Sequence, residues 1–295
     1  MSINTDYLKL LAQQMSDFKS NTLGQLGSSK NTFDINSLAS GYIASQQVNQ
    51  VLQGNTVEGI QGLSPLGRNL ALPDPESAYK MMSHINELGM QYPAQASRLS
   101  DMQSGVNMLL DAAKPLAQID ATADFASVKQ QLQRFADQYN SWRMSFDTDV
   151  QDPDLLADTQ AAHVSRYELE QSIVSPFHGA TEGFRGVESL GLSVNPATGI
   201  ARLDTAKLGE VWAQNPDGVA KTINEMGQHF SRSAELLVEK NNFFAKQQDN
   251  LARVIAYMDE NKTKLQAEFG LGDPPQPSEQ VARAYAEYQR THGLP

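Results

Sequence analysis

Five aspartates, Asp147, Asp149, Asp152, Asp154 and Asp158, crowd into one short stretch and are the first place where this sequence could do chemistry. Asp147, Asp149 and Asp158 stand where an EF-hand loop carries calcium ligands at its positions 1, 3 and 12. That loop also needs Gly at its sixth position for a sharp turn, and Asp152 stands there, preceded by Gln151. The run therefore reads as a solvated linker in which Asp152, ahead of Pro153, helps to start the next helix. The five histidines, His84, His163, His178, His229 and His292, are dispersed, and no two have the i, i+4 relation that puts both imidazoles on one metal. There is no cysteine, which excludes disulfides, thiolate nucleophiles and Cys-based zinc or iron–sulfur sites. Neither a Gly-rich phosphate loop ending in Gly-Lys-Ser/Thr nor a Gly-x-Ser-x-Gly elbow is present. No catalytic set, metal site or cofactor is expected, and the chain reads as non-enzymatic.

The net charge of −11 works against phosphate neutralisation, and no local basic cluster offsets it, so nucleic acid is not an expected partner. No stretch approaches the roughly 18 consecutive apolar residues of a membrane span. The opening Ser-Ile-Asn-Thr-Asp-Tyr-Leu-Lys-Leu-Leu has neither a basic n-region nor an unbroken apolar h-region, so a cleaved secretory signal is not expected.

What remains are the elements, and helical periodicity dominates them. Residues 1–75 hold only nine charged side chains among Asn, Gln, Ser, Thr, Gly and Leu, which suggests a flexible polar N-terminal segment with short helices near 5–18 and 36–52. Asp74 and Pro75 then supply an N-cap and a first helical residue. Leu99, Met102, Val106, Leu109, Ala113 and Leu116 alternate by three and four, which predicts one helix. Phe125, Val128, Leu132, Phe135, Tyr139, Trp142 and Phe146 do the same and predict a second. That aromatic stripe could line a ligand pocket, but its strict spacing is what a core-facing helix requires. A third, less regular apolar pattern runs from Leu155 to Val174.

The period changes at Leu192, where alternation, the turn chemistry of Asn195 to Gly199 and a second short run to Leu203 predict a β-hairpin. Asp204 caps a brief helix near 205–213, and Asn215 with Pro216 starts another. Ile223, Phe230, Leu237, Phe244, Leu251, Met258 and Leu265 then fall seven residues apart, which predicts one long coiled-coil helix over 217–268, about 70 Å at 1.5 Å per residue. Its alternate positions Ser233, Lys240 and Gln247 are polar, so the middle of the seam is narrow. The seam could close an intramolecular bundle or join separate chains. From Gly270 the prolines at 274, 275 and 277 break the helix and lead to a tail with a short amphipathic piece around Val281 to Tyr288, read as a mobile appendage. The expected fold is mainly α: an elongated helical bundle over 76–269 with one small hairpin at 192–203, a flexible N-terminal segment and a Pro-containing tail over 270–295.

The order of these elements resembles the flagellar hook-associated protein two, or filament cap, family. The segment from Leu190-Gly191-Leu192 through Leu203-Asp204, Lys207-Leu208 and Asn215-Pro216-Asp217 is similar to that family's C-terminal signature, which precedes its coiled-coil helix. Phe135, Tyr139 and Asn140 resemble a second family motif, and Asp34 to Leu38 an N-terminal one. The resemblance implies a structural protein exported by the flagellar type III apparatus to the outside of the cell. It also implies partners: further copies of itself, and flagellar axial proteins such as flagellin or hook–filament junction proteins. The family's large β-rich insertion has no counterpart between Leu116 and Phe125, and its terminal helix gives way to Gly270, Gly272 and the prolines. Those departures motivate an alternative, a cytoplasmic helical adaptor or chaperone-like paralogue without the capping role.

Overall fold

The computed structural model of the chain describes residues 62–293. The expectations for residues 1–61, including the two short helices and the motif at Asp34 and Leu38, lie outside the described residues. The α-helices are α1 (Pro75–Ala113), α2 (Phe125–Ser145), α3 (Gln160–Val174), α4 (Thr205–Gln214), α5 (Pro216–Val238), α6 (Phe243–Phe269) and α7 (Glu279–His292). Strands β1 (Leu192–Val194) and β2 (Ala201–Leu203) pair antiparallel, with Ser193 opposite Arg202. The chain divides into two compact units, one of residues up to Gly89 with Val254–Gln276, the other of Met90–Arg253 with Pro277–Pro295. Fold class agrees with the periodicity: mainly helical, with one two-stranded sheet among the described residues.

In the larger unit the predicted stripes form the core. Leu99, Met102, Val106, Leu109 and Ala113 of α1 are buried, as are Val128, Leu132, Phe135, Tyr139, Trp142 and Phe146 of α2 and beyond. Phe125, at the head of the second stripe, is only half-buried and leans on Trp212 at 5.9 Å between ring centroids. Helix α2 starts where Asp124 accepts from the Ser127 N–H at 2.9 Å, the short polar side chain replacing a helical acceptor that the first turn lacks. Trp142 brings α1 and α2 together, its Nε1 donating to the Met102 carbonyl at 3.2 Å. Leu116 ends the first stripe on a 3-10 turn (Leu116–Gln118), beyond the α-helix that Pro115 follows. Helix α3 begins at Gln160, later than the apolar pattern suggested, because Leu155 and Leu156 are buried from a turn that Asp152 nucleates by accepting from the Asp154 N–H.

The single helix expected over 217–268 is two helices. Helix α5 ends at Val238, residues 239–242 turn, and α6 starts at Phe243. Asn242 makes the turn: its backbone N–H donates to the Glu239 carbonyl at 3.0 Å, its side chain donates back to Leu236, and its Oδ1 accepts from the Phe243 N–H at 2.7 Å. An Asn side chain competes with the helical ladder by bonding its own backbone, which is why it favours ends over interiors. The heptad phase survives because Leu237 and Phe244 flank the turn and both remain buried.

In the smaller unit, residues 62–74 make a few specific backbone and side-chain contacts. Leu63 and Asn69 bridge, and the buried Asn69 side chain donates to the carbonyls of Ala267 and Glu268 at 3.1 and 3.0 Å. Those carbonyls belong to the last turn of α6, where no helical donor remains for them. Asp74 caps α1 as expected, accepting from the Ser77 N–H at 3.1 Å. Within the same unit the stretch after Gly270 is held by Asn86, which donates to the Leu271 and Asp273 carbonyls at 2.9 Å each. Tyr79 donates to Asp273 at 2.9 Å. In the larger unit Ser278 caps α7 and donates to Asp152 at 2.7 Å, while Val281 and Ala284 are buried.

Candidate interaction site

The hairpin and the two helices after it form a module whose polar residues are spent on joining elements. Asp204, straight after β2, accepts from the Ala206 and Lys207 N–H groups at 3.0 Å each and so starts α4. Lys207 reaches back to the Glu188 carbonyl at 2.8 Å, and Leu208 is buried beneath. Asn215 accepts from the Gly218 N–H at 2.9 Å, with Pro216 in the first turn of α5. Leu203 is half-buried in the ladder opposite Leu192. The hairpin docks on α2 through Asn140, whose Nδ2 donates to the Ala201 carbonyl at 2.8 Å while its Oδ1 accepts from the Ala201 N–H at 2.7 Å. This amide-to-backbone pair gives the otherwise unpaired edge of β2 at Ala201 the partner that a third strand would supply.

Helix α5 lies along the core. Ile223, Phe230 and Leu237 are buried, as are Phe244, Leu251 and Leu265 of α6, whereas Met258 is half-buried. Phe230 meets Phe135 edge-on at 4.8 Å, the arrangement that aromatic quadrupoles favour. Gly227 lets α5 approach the 3-10 turn closely: a Cβ there would lie 2.5 Å from the Ala117 nitrogen. Asn224 secures the same contact, donating to the carbonyls of Ala117 and Ile119 at 2.7 and 3.1 Å. The polar positions of the seam have separate reasons. Ser233 accepts from Ser172 of α3 at 2.9 Å, Lys240 lies in the turn, and Gln247 accepts from the Ala161 N–H at 3.4 Å near the start of α3. Six of the seven stripe residues are thus buried by the chain itself, Met258 being the exception.

The acidic run is dispersed among structural contacts. Asp149 is buried and takes Arg98 at 2.6 and 2.8 Å from two guanidinium nitrogens, Asp147 takes Arg166, and Asp152 takes Ser278. Two histidines far apart in sequence do meet: His178 and His229 stand with ring centroids 5.3 Å apart. His178 bonds the Ser172 carbonyl through Nε2 at 2.9 Å, and its pKa is lowered by burial, against upward pulls from that bond and from Glu225.

Spacing alone did not reveal a cleft of about 700 Å³ between the end of α2, α3 and the hairpin turn, lined by Arg143, Met144, Asp147, Arg166, Tyr167 and Glu170 among others. Its floor carries two ion pairs, Arg143 to Glu170 at 3.1 Å and Arg166 to Asp147 at 2.7 Å. Arg143 Nε and Arg166 Nη1 are buried there without a well-formed hydrogen bond, and the buried Tyr139 hydroxyl behind them interacts with Arg143. Burial pushes the Tyr139 phenol up to about 12, against the opposing field of Arg143. The hairpin turn presses on this floor: a Cβ at Gly199, which has φ of +68°, would fall 2.4 Å from the Arg143 guanidinium carbon. The signal available in the sequence was indirect, since Arg143 follows the core residue Trp142 and Arg166 follows the buried Ser165.

Compared with known families, the chain matches the family model described as flagellar hook-associated protein 2 C-terminus over residues 83–274. That span takes in most of α1, the hairpin module and both halves of the seam, and closes before α7. No curated protein and no solved structure matches the chain.

Proposed function

The chain belongs to the flagellar hook-associated protein 2 family through its C-terminal region, and from that membership we propose that it is a non-enzymatic structural protein with a cap-like role in the flagellum. In this reading several copies associate, hold flagellar axial proteins such as flagellin or hook–filament junction proteins in place, and reach the outside of the cell by type III export. The observation that carries it is the match over residues 83–274, whose hairpin module is tied together by Asp204, Lys207, Asn215 and Asn140.

Self-association needs a surface, and the heptad stripe is already occupied. Phe230 and Phe244 are buried within their own chain, so turning them toward a second copy would first expose them to water. The stripe therefore maintains the shape of each subunit, and copies meet through other faces.

The test is fractionation of cells that make a tagged chain, in a parent strain and in one lacking the flagellar export apparatus. The chain is expected in sheared filaments and medium only when export works, with immunogold label at filament tips. Equal retention inside both strains would overturn the reading and favour a cytoplasmic adaptor.

A further inference from the structure

We propose that the segment joining α3 to the hairpin module, residues 175–186, is a pH-operated latch: it lies closed on α5 at neutral pH and opens locally in mild acid, when its anchoring imidazole takes a second proton. The latch does not depend on the capping role.

Of residues 175–185 only His178 and Gly179 are buried, so the imidazole is the one side chain by which the segment is anchored. The chain buries this titratable ring and leaves its neighbour Phe177 78% exposed, the reverse of what burial of apolar area favours. The ring is held from two helices. Its Nε2 donates to the Ser172 carbonyl of α3 at 2.9 Å, and on the α5 side its centroid stands 5.3 Å from that of His229. A carbonyl only accepts, so Nε2 carries the proton of the neutral ring and a further proton has to go to Nδ1. Beside the ring the backbone is fitted closely: the Gly179 N–H donates to Glu225 of α5 at 2.7 Å, and Thr222 leaves no room for a Cβ at Gly179.

Charging the anchor sets its surroundings against it. Two protonated imidazoles at 5.3 Å repel, and burial denies the His178 cation the water that an imidazolium needs. The Glu225 carboxylate attracts that cation, but it is also the acceptor of the Gly179 N–H. Two further charges join the segment to α5, Glu182 and Lys221, and they are paired with each other at 3.0 Å. From α3 the ring meets the neutral Ser172 carbonyl. The balance agrees with the lowered pKa of His178, which burial causes first and His229 adds to. An open segment returns the ring to water, where it takes a proton at about pH 6.5, so protons favour the open form once the pH falls through that value. What else grips the segment is polar, and the Lys221 side chain is 62% exposed, so the latch can open while the apolar core stays closed.

The test is amide hydrogen exchange of the full chain at about pH 7.5 and about pH 5, with rates corrected for the intrinsic pH dependence of exchange. Protection of residues 179–186 is expected to fall at least about fivefold at the lower pH, while that of α2 changes by less than about twofold. His178→Gln keeps a donor for the Ser172 carbonyl but cannot charge, and is expected to hold its protection across the same range. His229→Gln, at an exposed position that leaves folding intact, should keep the parent protection at about pH 7.5 and lose at least about half of the acid-induced fall, which decides the matter where His178→Gln loosens the segment at both pH values. A fall spread equally over α2 would overturn the proposal, in favour of general acid unfolding. So would unchanged protection of residues 179–186 between the two pH values, or a full acid-induced fall that survives in either variant.

Discussion

Asn140 is the residue on which the hairpin's position turns. Its amide satisfies both the N–H and the carbonyl of Ala201, and no aliphatic residue can do either. Asn140→Ala leaves those groups half-buried and unpaired, at an expected cost of about 1–3 kcal/mol. Amide exchange of residues 192–203 should accelerate while that of α1 is unchanged; equal exchange throughout would mean that water replaces the amide without loss. His178 makes a second prediction at this scale. Its folded pKa lies below the unfolded one because burial disfavours the imidazolium, so below about pH 6.5 the unfolded chain holds more protons than the folded one. The stability contribution is therefore complete above that pH and is lost as the pH falls through it. Urea midpoints measured between about pH 5 and pH 8 should decline toward the acid end, and His178→Gln should flatten the decline. A wild-type midpoint level across that range would contradict the assignment.

The elements were largely legible in the sequence, and the misses have physical causes. Caps at Asp74, Asp204 and Asn215 were readable because short side chains beside Pro or an apolar run can satisfy orphan amides in few other ways. The break between α5 and α6 was hidden because periodicity reports which face is buried and not whether the backbone is continuous. Leu237 and Phe244 keep the seven-residue spacing across a turn, and the visible signs were the polar Lys240 and the pair Asn241-Asn242. The cleft was illegible for another reason: Arg143 and Arg166 belong to different helices, and only packing places them on one floor. Close helix approach also leaves a residue-level mark. At Gly227 an added methyl would meet backbone of the 3-10 turn, which cannot rotate aside as a side chain would. Gly227→Ala is therefore expected to lose about 1–3 kcal/mol in spite of Ala's better helix propensity. A stabilised variant in chemical denaturation would show that α5 can shift at no cost.

For the whole molecule, what matters is whether the heptad stripe holds one chain together or several. Phe244 is fully enclosed, so Phe244→Ala should lose about 3–5 kcal/mol of unfolding free energy through lost transfer and a cavity. An interface residue would behave otherwise, because stability drawn from a partner copy rises with protein concentration by mass action. If the stripe closes inside each chain, the cost of Phe244→Ala is the same at about 1 μM and about 100 μM protein, even where assembly adds its own stability to both forms. A cost that grows with concentration would place Phe244 between copies, and the subunit would then owe its shape to its neighbours. A constant cost leaves the assembly surfaces free to differ from the core, so that substitutions at exposed positions can change association without unfolding the subunit.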